Sequence, residues 1–278
     1  MAASRELPTA MDNAAPARHP DRMRLLLANP NTTQAMTERI ASVARAAASP
    51  GTEIVAVTGK VGVPYIATRA DAAVAGRTTL ELMAEHGGGC NAAIVAAFGD
   101  PGLGGARELM PVPVIGLAEA AMLTACMLGR RFAIVTFAAA LGPWYRECVE
   151  YHGLTSRLAA IRCVQDAFAD VTGVAEELEA PLIALCCRVV ADDEADVVIL
   201  GGAPLAGLAE RIAARVPVPL VDGVAAAVRQ AEVLVSLRLH KATAGTFRRP
   251  DPKPAIGLSA ELTALFGGGR SRKRGEKE

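Results

Sequence analysis

The sequence predicts an α/β protein of two pseudo-symmetric lobes, each a mostly parallel sheet flanked by helices. Two observations carry this. Short aliphatic runs alternate with longer Ala-rich helical stretches, the pattern of βα units closing on a parallel sheet. The chain also repeats itself: Ile94-Val95-Ala96-Ala97 aligns without a gap on Ile199-Leu200-Gly201-Gly202, and Gly102-Leu103 on Gly207-Leu208. One residue of slippage later, "PVPVI" (Pro111 to Ile115) matches "PVPLV" (Pro217 to Val221). Each half runs strand, glycine turn, helix, P-V-P strand. Two copies are too few for a solenoid and fit two lobes with a cleft between the matching turns.

Element by element, strands are expected at Arg24–Ala28, Glu53–Val57, Ala93–Ala97, Val114–Ile115, Phe132–Thr136, Val197–Leu200 and Leu220–Val221. Helices are expected at Thr32–Ala47, Asp71–His86, Leu103–Leu109, Glu119–Leu128, Pro143–His152, Val174–Ala191, Leu205–Ala214 and Gly223–Leu237. The two-lobed domain therefore spans residues 23–237. Residues 238–266 read as a Pro-containing extension with a short helix near Ala260. Residues 267–278 read as a disordered basic tail, solvated rather than bound to nucleic acid.

Composition narrows the class. The 278 residues are enough for a sizeable core. Hydrophobic residues make up 51% and charged residues 21%, and the formal net charge is zero, which argues against nucleic acid as a partner. No apolar run reaches the roughly 18 residues of a membrane span. Residues 1–22 are rich in Ala, Pro and charge and lack the apolar region of a secretory signal, so they read as a disordered extension. The fold is expected to begin near Met23, which is also an alternative translation start. A cytoplasmic location with reduced thiols follows as the expectation. The six cysteines form no C-x-x-C pair and the four histidines are scattered, so no metal site is expected.

Several stretches stand where ligands bind in such folds, beyond the carboxyl ends of the strands. In "LLANPNTT", Asn31, Thr32 or Thr33 is placed to cap the next helix, whose free N–H groups also suit a carboxylate or carbonyl oxygen. No G-x-G-x-x-G is present there, which disfavours a dinucleotide. In "GVPYIATRADAAVAG", Tyr65 and Thr68 are candidates to line a pocket and Asp71 to begin a helix. In "FGDPGLGG", Asp100 before Pro101 suits an N-cap, and the glycines suit a nest of backbone N–H groups. Glu119 falls in the first turn of a helix, where a pocket role and a dipole role are equally open. Thr136 ends a strand, and Trp144 and Tyr145 open a helix as either a cleft wall or core packing. Cys186 and Cys187 read as helical packing residues.

Taken in order, "MRLLLANPNTT", "PYIATRADAAVAG", "IVAAFGDPGL", "PVPVIGLAEAAM", "FAIVTF" and "ADVVILGGAPLAGLA" resemble the hydantoin racemase branch of the aspartate/glutamate racemase superfamily, over roughly Met23 to Leu237. The resemblance implies a cofactor-independent racemase of a small carbonyl or carboxylate compound, homo-oligomeric, with its site between the lobes. It implies two opposed cysteines, one removing and one returning a proton, because the substrate does not turn over between the steps. It places those cysteines at Ala97 and Gly202, where this chain has none, and replaces the usual Ser-Ile-Glu by Tyr65-Ile66-Ala67. The expected substrate contacts are Asn29, Pro30, Asn31, Tyr65, Ile66, Ala97, Phe98, Thr136, Gly201 and Gly202. Catalysis, if retained, must fall to Tyr65, Asp100, Glu119 or an activated water, with lyase or hydrolase chemistry in reach. The alternative is a non-catalytic small-molecule binder on the same scaffold.

Overall fold

The computed structural model describes residues 23–269; the expected N-terminal extension and most of the basic tail lie outside them. Among the described residues, eight strands form two four-stranded sheets. The first holds β1 (Met23–Asn29), β2 (Thr52–Thr58), β3 (Ala92–Val95) and β4 (Val114–Gly116), in the order β2-β1-β3-β4. The second holds β5 (Phe132–Thr136), β6 (Leu158–Cys163), β7 (Val197–Leu200) and β8 (Leu220–Asp222), in the order β6-β5-β7-β8. All pairings are parallel. The repeat seen in the sequence is a repeat of register: Val95 pairs with Gly116 as Leu200 pairs with Asp222.

The helices are α1 (Gln34–Ala47), α2 (Arg69–His86), α3 (Leu103–Leu109), α4 (Leu117–Leu128), α5 (Leu141–Tyr151), α6 (Val174–Glu177), α7 (Glu179–Asp192), α8 (Leu208–Ile212), α9 (Gly223–Ser236) and α10 (Ala260–Phe266). Alternate residues of the first sheet face opposite ways. Leu25, Leu27 and Ile94 pack with Ile40 of α1 and Val228 of α9, while Leu26, Val95 and Leu103 pack with Leu82 of α2 and Leu262 of α10. The lobes exchange helices. α4 follows the first sheet but sends Ala121 and Met122 into the core of the second, and α9 follows the second sheet but completes the core of the first. The expected C-terminal extension is thus part of the fold, since Leu262 and Leu265 of α10 are buried in the first lobe.

Several expectations need correction. β6 has no counterpart among the expected strands. It is an edge strand with a mostly half-exposed face, so its sequence lacks a continuous apolar run. The expected helix Val174–Ala191 is two helices, divided at Leu178 (φ −104°, ψ 16°). The expected helix Leu205–Ala214 shrinks to α8 between two 3-10 turns, Ala203–Leu205 and Ala213–Arg215, because Gly207 stands at φ +83° just before it. The strand expected to run to Ala97 ends at Val95, leaving Ala97 on the turn.

Candidate active site

The expected contacts stand at the ends of β1, β3, β5 and β7 and in the loop after β2, and the structure decides what each is free to do. Asn29 and Asn31 are buried and close on each other. The Asn29 amide nitrogen donates to Asn31 Oδ1 and to Thr37 Oγ1, both at 2.9 Å, while Asn31 Oδ1 also accepts from the Thr33 amide. Pro30 is buried between them. Thr33 holds the N-cap position of α1, yet its hydroxyl donates to the Pro64 carbonyl, and no side chain caps this helix. The N-P-N-T-T stretch is therefore a self-satisfied turn, not the cap the sequence suggested. Thr68 and Asp71 form a reciprocal capping box at the start of α2, so Thr68 is spent on the helix, which begins at Arg69 rather than at Asp71.

Asp100 also caps, but not the helix expected. Its carboxylate accepts from the amides of Ala118 and Glu119 in α4, at 2.9 and 2.8 Å, while α3 starts from Gly102 with no side-chain cap. Glu119 lies in the first turn of α4, as expected, and both its oxygens are held by the Arg107 guanidinium. The Thr136 hydroxyl donates to the Gly201 carbonyl at 2.8 Å and is fully buried. Burial pushes the Asp100 carboxyl above its ordinary range, opposed in part by His152 and the two amides.

What fills the space around Ala97 and Gly202 is aromatic. A Cβ placed on Gly202 would stand 2.8 Å from Phe137 Cε1 and 3.5 Å from the Tyr145 hydroxyl. One on Gly201 would stand 2.8 Å from Ile134 Cγ2, 3.2 Å from Tyr145 Cε2 and 3.3 Å from Phe98 Cε1. Phe98 meets Tyr145 edge-on with ring centroids 4.8 Å apart, and Tyr145 packs beside Trp144. On the other side Phe137 meets Tyr65 at 6.0 Å and Phe168 at 5.6 Å. Trp144 lies against Gly99, where a Cβ would come within 2.4 Å of its ring. Ala97, Phe98 and Ile66 are each almost fully buried in the same cluster. Aromatics are only 4% of the chain, so their concentration here is a feature that composition hides.

Two phenols belong to this cluster, one from each lobe. The Tyr65 hydroxyl is buried and, among the described residues, has no hydrogen-bond partner. Burial, and next the charge of Asp71, raise the Tyr65 phenol well above its usual range. The Tyr145 phenol is raised by burial, then by Tyr65 itself. Both are held as neutral O–H groups. They are hydrogen-bond donors and proton sources, not bases, near neutral pH. Tyr65 is a candidate in the sequence and Tyr145 is open there to wall or core; Phe137 carries no signal because only the fold brings it to Gly202, and Phe168 none because it packs on Phe137. A second group that only the fold assembles is Asp100, Cys148 and His152, whose ligand atoms all lie within 4.8 Å of one another. The one-turn spacing of Cys148 and His152 was its only sequence signal.

Two lobes, each a four-stranded parallel sheet, with glycine turns at matching places after β3 and β7, define the class of aspartate/glutamate racemase-like folds. The family model for Asp/Glu/Hydantoin racemase matches residues 25–231, and the chain belongs to that family. It is 33% identical over 236 residues to a hydantoin racemase of Pseudomonas sp. (strain NS671), covering 84% of this chain and 95% of that one. Among solved structures it resembles an allantoin racemase from Klebsiella pneumoniae, with TM-score 0.79 and 37% identity over 87% of this chain and 98% of that one. An allantoin racemase from Pseudomonas fluorescens is equally similar in fold, with TM-score 0.79 and 36% identity over 84% of this chain and all of that one.

Proposed function

We propose that this chain binds a small carbonyl or carboxylate compound in the cleft between the two glycine turns and acts on it with phenols where thiols are expected. The observation that carries the reading is the Tyr145 hydroxyl, 3.5 Å from where a Gly202 side chain would begin. The unpartnered Tyr65 hydroxyl in the same aromatic cluster supports it. A neutral phenol in an apolar pocket is a strong donor to a carbonyl or enolate oxygen, because little water competes for it. It can also give up a proton to a carbanion as that charge develops.

Racemisation needs more. A base must first remove the α-proton, and a catalytic base works best with a pKa near the working pH. Methyl and hydrogen side chains at Ala97 and Gly202 cannot serve, and the raised phenols stay protonated. Asp100 and Glu119 are engaged with amides and with Arg107. The arrangement therefore supports proton delivery, as in a decarboxylating lyase, over two-base inversion. The relatives act on hydantoin and allantoin by their names, so cyclic ureides are the first ligands to try. A second reading, a binder without turnover, is favoured by the same engagement of both carboxylates.

The test incubates the full-length protein in heavy water with hydantoins, allantoin and amino acids, and separately with small malonic acids. Nuclear magnetic resonance follows α-proton exchange and loss of carbon dioxide. Expected are no exchange near neutral pH, and decarboxylation that Tyr65→Phe and Tyr145→Phe remove. Exchange at neutral pH that survives both substitutions would overturn the proposal. Saturable binding without turnover of any compound selects the second reading.

A further inference from the structure

We propose that Asp100, Cys148 and His152 form a binding site for a divalent transition-metal ion, zinc by preference, spanning the two lobes. Asp100 comes from the turn after β3 in the first lobe. Cys148 lies on α5 of the second, and His152 at its end. One ligand atom from each lies within 4.8 Å of the other two, and His152 Nε2 is 3.5 Å from Asp100 Oδ2. Ligands at zinc-like distances around a tetrahedral ion are separated by about 3.3–3.8 Å. The gap between these two atoms is the size that an ion bound to both would set.

An independent observation points the same way. His152 Nε2 is buried, with a side chain only 8% exposed; it faces the Asp100 carboxylate, whose proton affinity it lowers, but at 3.5 Å the contact is too long for a well-formed hydrogen bond. Buried polar nitrogens almost always find a partner, and one without a partner calls for an explanation. The other ring nitrogen, Nδ1, faces Glu119 Oε1 at 3.5 Å, and Glu119 is fixed in turn by Arg107. A carboxylate behind the far nitrogen of an imidazole is the usual support of a metal-bound histidine, setting its tautomer and raising its basicity. Asp100 accepts one amide on each oxygen, which leaves each oxygen a lone pair to give.

The donor set selects the ion. One thiolate, one imidazole and one carboxylate suit zinc, cobalt or nickel, and offer too few oxygens for calcium or magnesium. Binding replaces the Cys148 S–H bond by a metal–sulfur bond and releases that proton to solvent. The two negative ligands then balance the two positive charges, so the buried centre is neutral. Because the ligands come from both lobes, the ion would tie the lobes together, and an ion that binds only the folded state stabilises it by mass action. Asp100 reaches Cys148 and His152 only through the fold, so no ligand spacing along the sequence marks this cluster as a whole.

The proposal is independent of the phenol chemistry, and its test does not read activity. The full-length protein is stripped with a chelator and titrated with cobalt(II), then with zinc. One cobalt per chain is expected, with a thiolate-to-cobalt charge-transfer band that zinc abolishes, and zinc should raise the melting temperature. Cys148→Ser should remove the band, while Cys163→Ser and Cys187→Ser should keep it. His152→Gln, and Glu119→Gln more weakly, should lower the affinity by about tenfold or more. Absence of the band overturns the proposal, as does a band that persists in a folded Cys148→Ser protein. If Cys148→Ser does not fold, unchanged cobalt affinity in His152→Gln overturns it as well.

Discussion

Asp100 and Asp222 perform one task from two different places in the repeat. Asp100 accepts from the second and third amides of α4, those of Ala118 and Glu119. Asp222 accepts from the second and third amides of α9, those of Val224 and Ala225, and also from the Gly207 amide in the turn after β7. Asp222 sits at the strand tip itself, whereas its counterpart Gly116 has no side chain and the carboxylate arrives from the neighbouring turn. In each lobe a carboxylate ties the glycine turn to the helix that follows the next strand.

That relationship makes Gly116 as important as the aspartate. A Cβ there would stand 2.2 Å from Asp100 Cγ. Gly116→Ala should cost about 1–3 kcal/mol by forcing the carboxylate aside. Asp222→Ala should cost about 1 kcal/mol or somewhat more, as cap removals do. Urea unfolding of the two variants checks both values. A Gly116→Ala protein as stable as the parent would show that the Asp100 contact is dispensable.

Restoring a thiol at Gly202 should fail on backbone grounds. Gly202 stands at φ +123°, a conformation that side-chain-bearing residues avoid, and its Cβ would press on Phe137. Gly202→Cys should lose about 2 kcal/mol or more. Adding Phe137→Ala should relieve the contact but not the φ strain. Melting temperatures of the single and double variants read this directly: equal stability of Gly202→Cys and parent would mean the turn is already free to change.

Stability should fall steeply in alkali. Burial raises the Tyr65, Tyr145, Cys90 and Cys148 groups, and lifts the Cys186 thiol to about 12. The unfolded chain releases these protons at about pH 8.5 for thiols and about pH 10 for phenols, while the folded chain retains them. Unfolding is therefore favoured progressively as pH rises past the unfolded values, and the contribution is complete below them. Urea midpoints measured between about pH 8 and pH 11 should decline, and less so in Cys186→Ala.

Tyr65→Phe separates stability from ligand binding. The buried hydroxyl has no partner among the described residues, and leaving such a group unsatisfied costs about 1–3 kcal/mol. Its removal should leave the melting temperature unchanged or raise it. The thermal shift given by cyclic ureides or small carboxylates should disappear. A variant that binds as well as the parent would remove Tyr65 from the site.

Much of the scaffold was legible because it is local. The alignment of Ile94–Ala97 with Ile199–Gly202 survives as a shared register, with Val95 against Gly116 and Leu200 against Asp222. The helix expected at Leu103–Leu109 is found with those bounds. β6 escaped because an edge strand with half-exposed positions leaves no sustained apolar run. The site was read less well. Asn31, Asp100 and Glu119 are polar residues at strand ends and first turns, where a cap, a pocket wall and an ion pair look alike until the partners are known.

The sequence by itself determined the alternation of strands and helices, the duplication into two lobes, and the absence of cysteine from Ala97 and Gly202. These follow from side-chain periodicity, glycine placement and residue identity, all written along the chain. Only the tertiary structure decided that Phe137 and Tyr145 stand against Gly202, and that Asp100 caps α4. It alone joins Asp100 to Cys148 and His152. Those facts depend on which distant segments share a few ångströms of space, and burial then fixes whether each polar group holds its proton, its partner or neither.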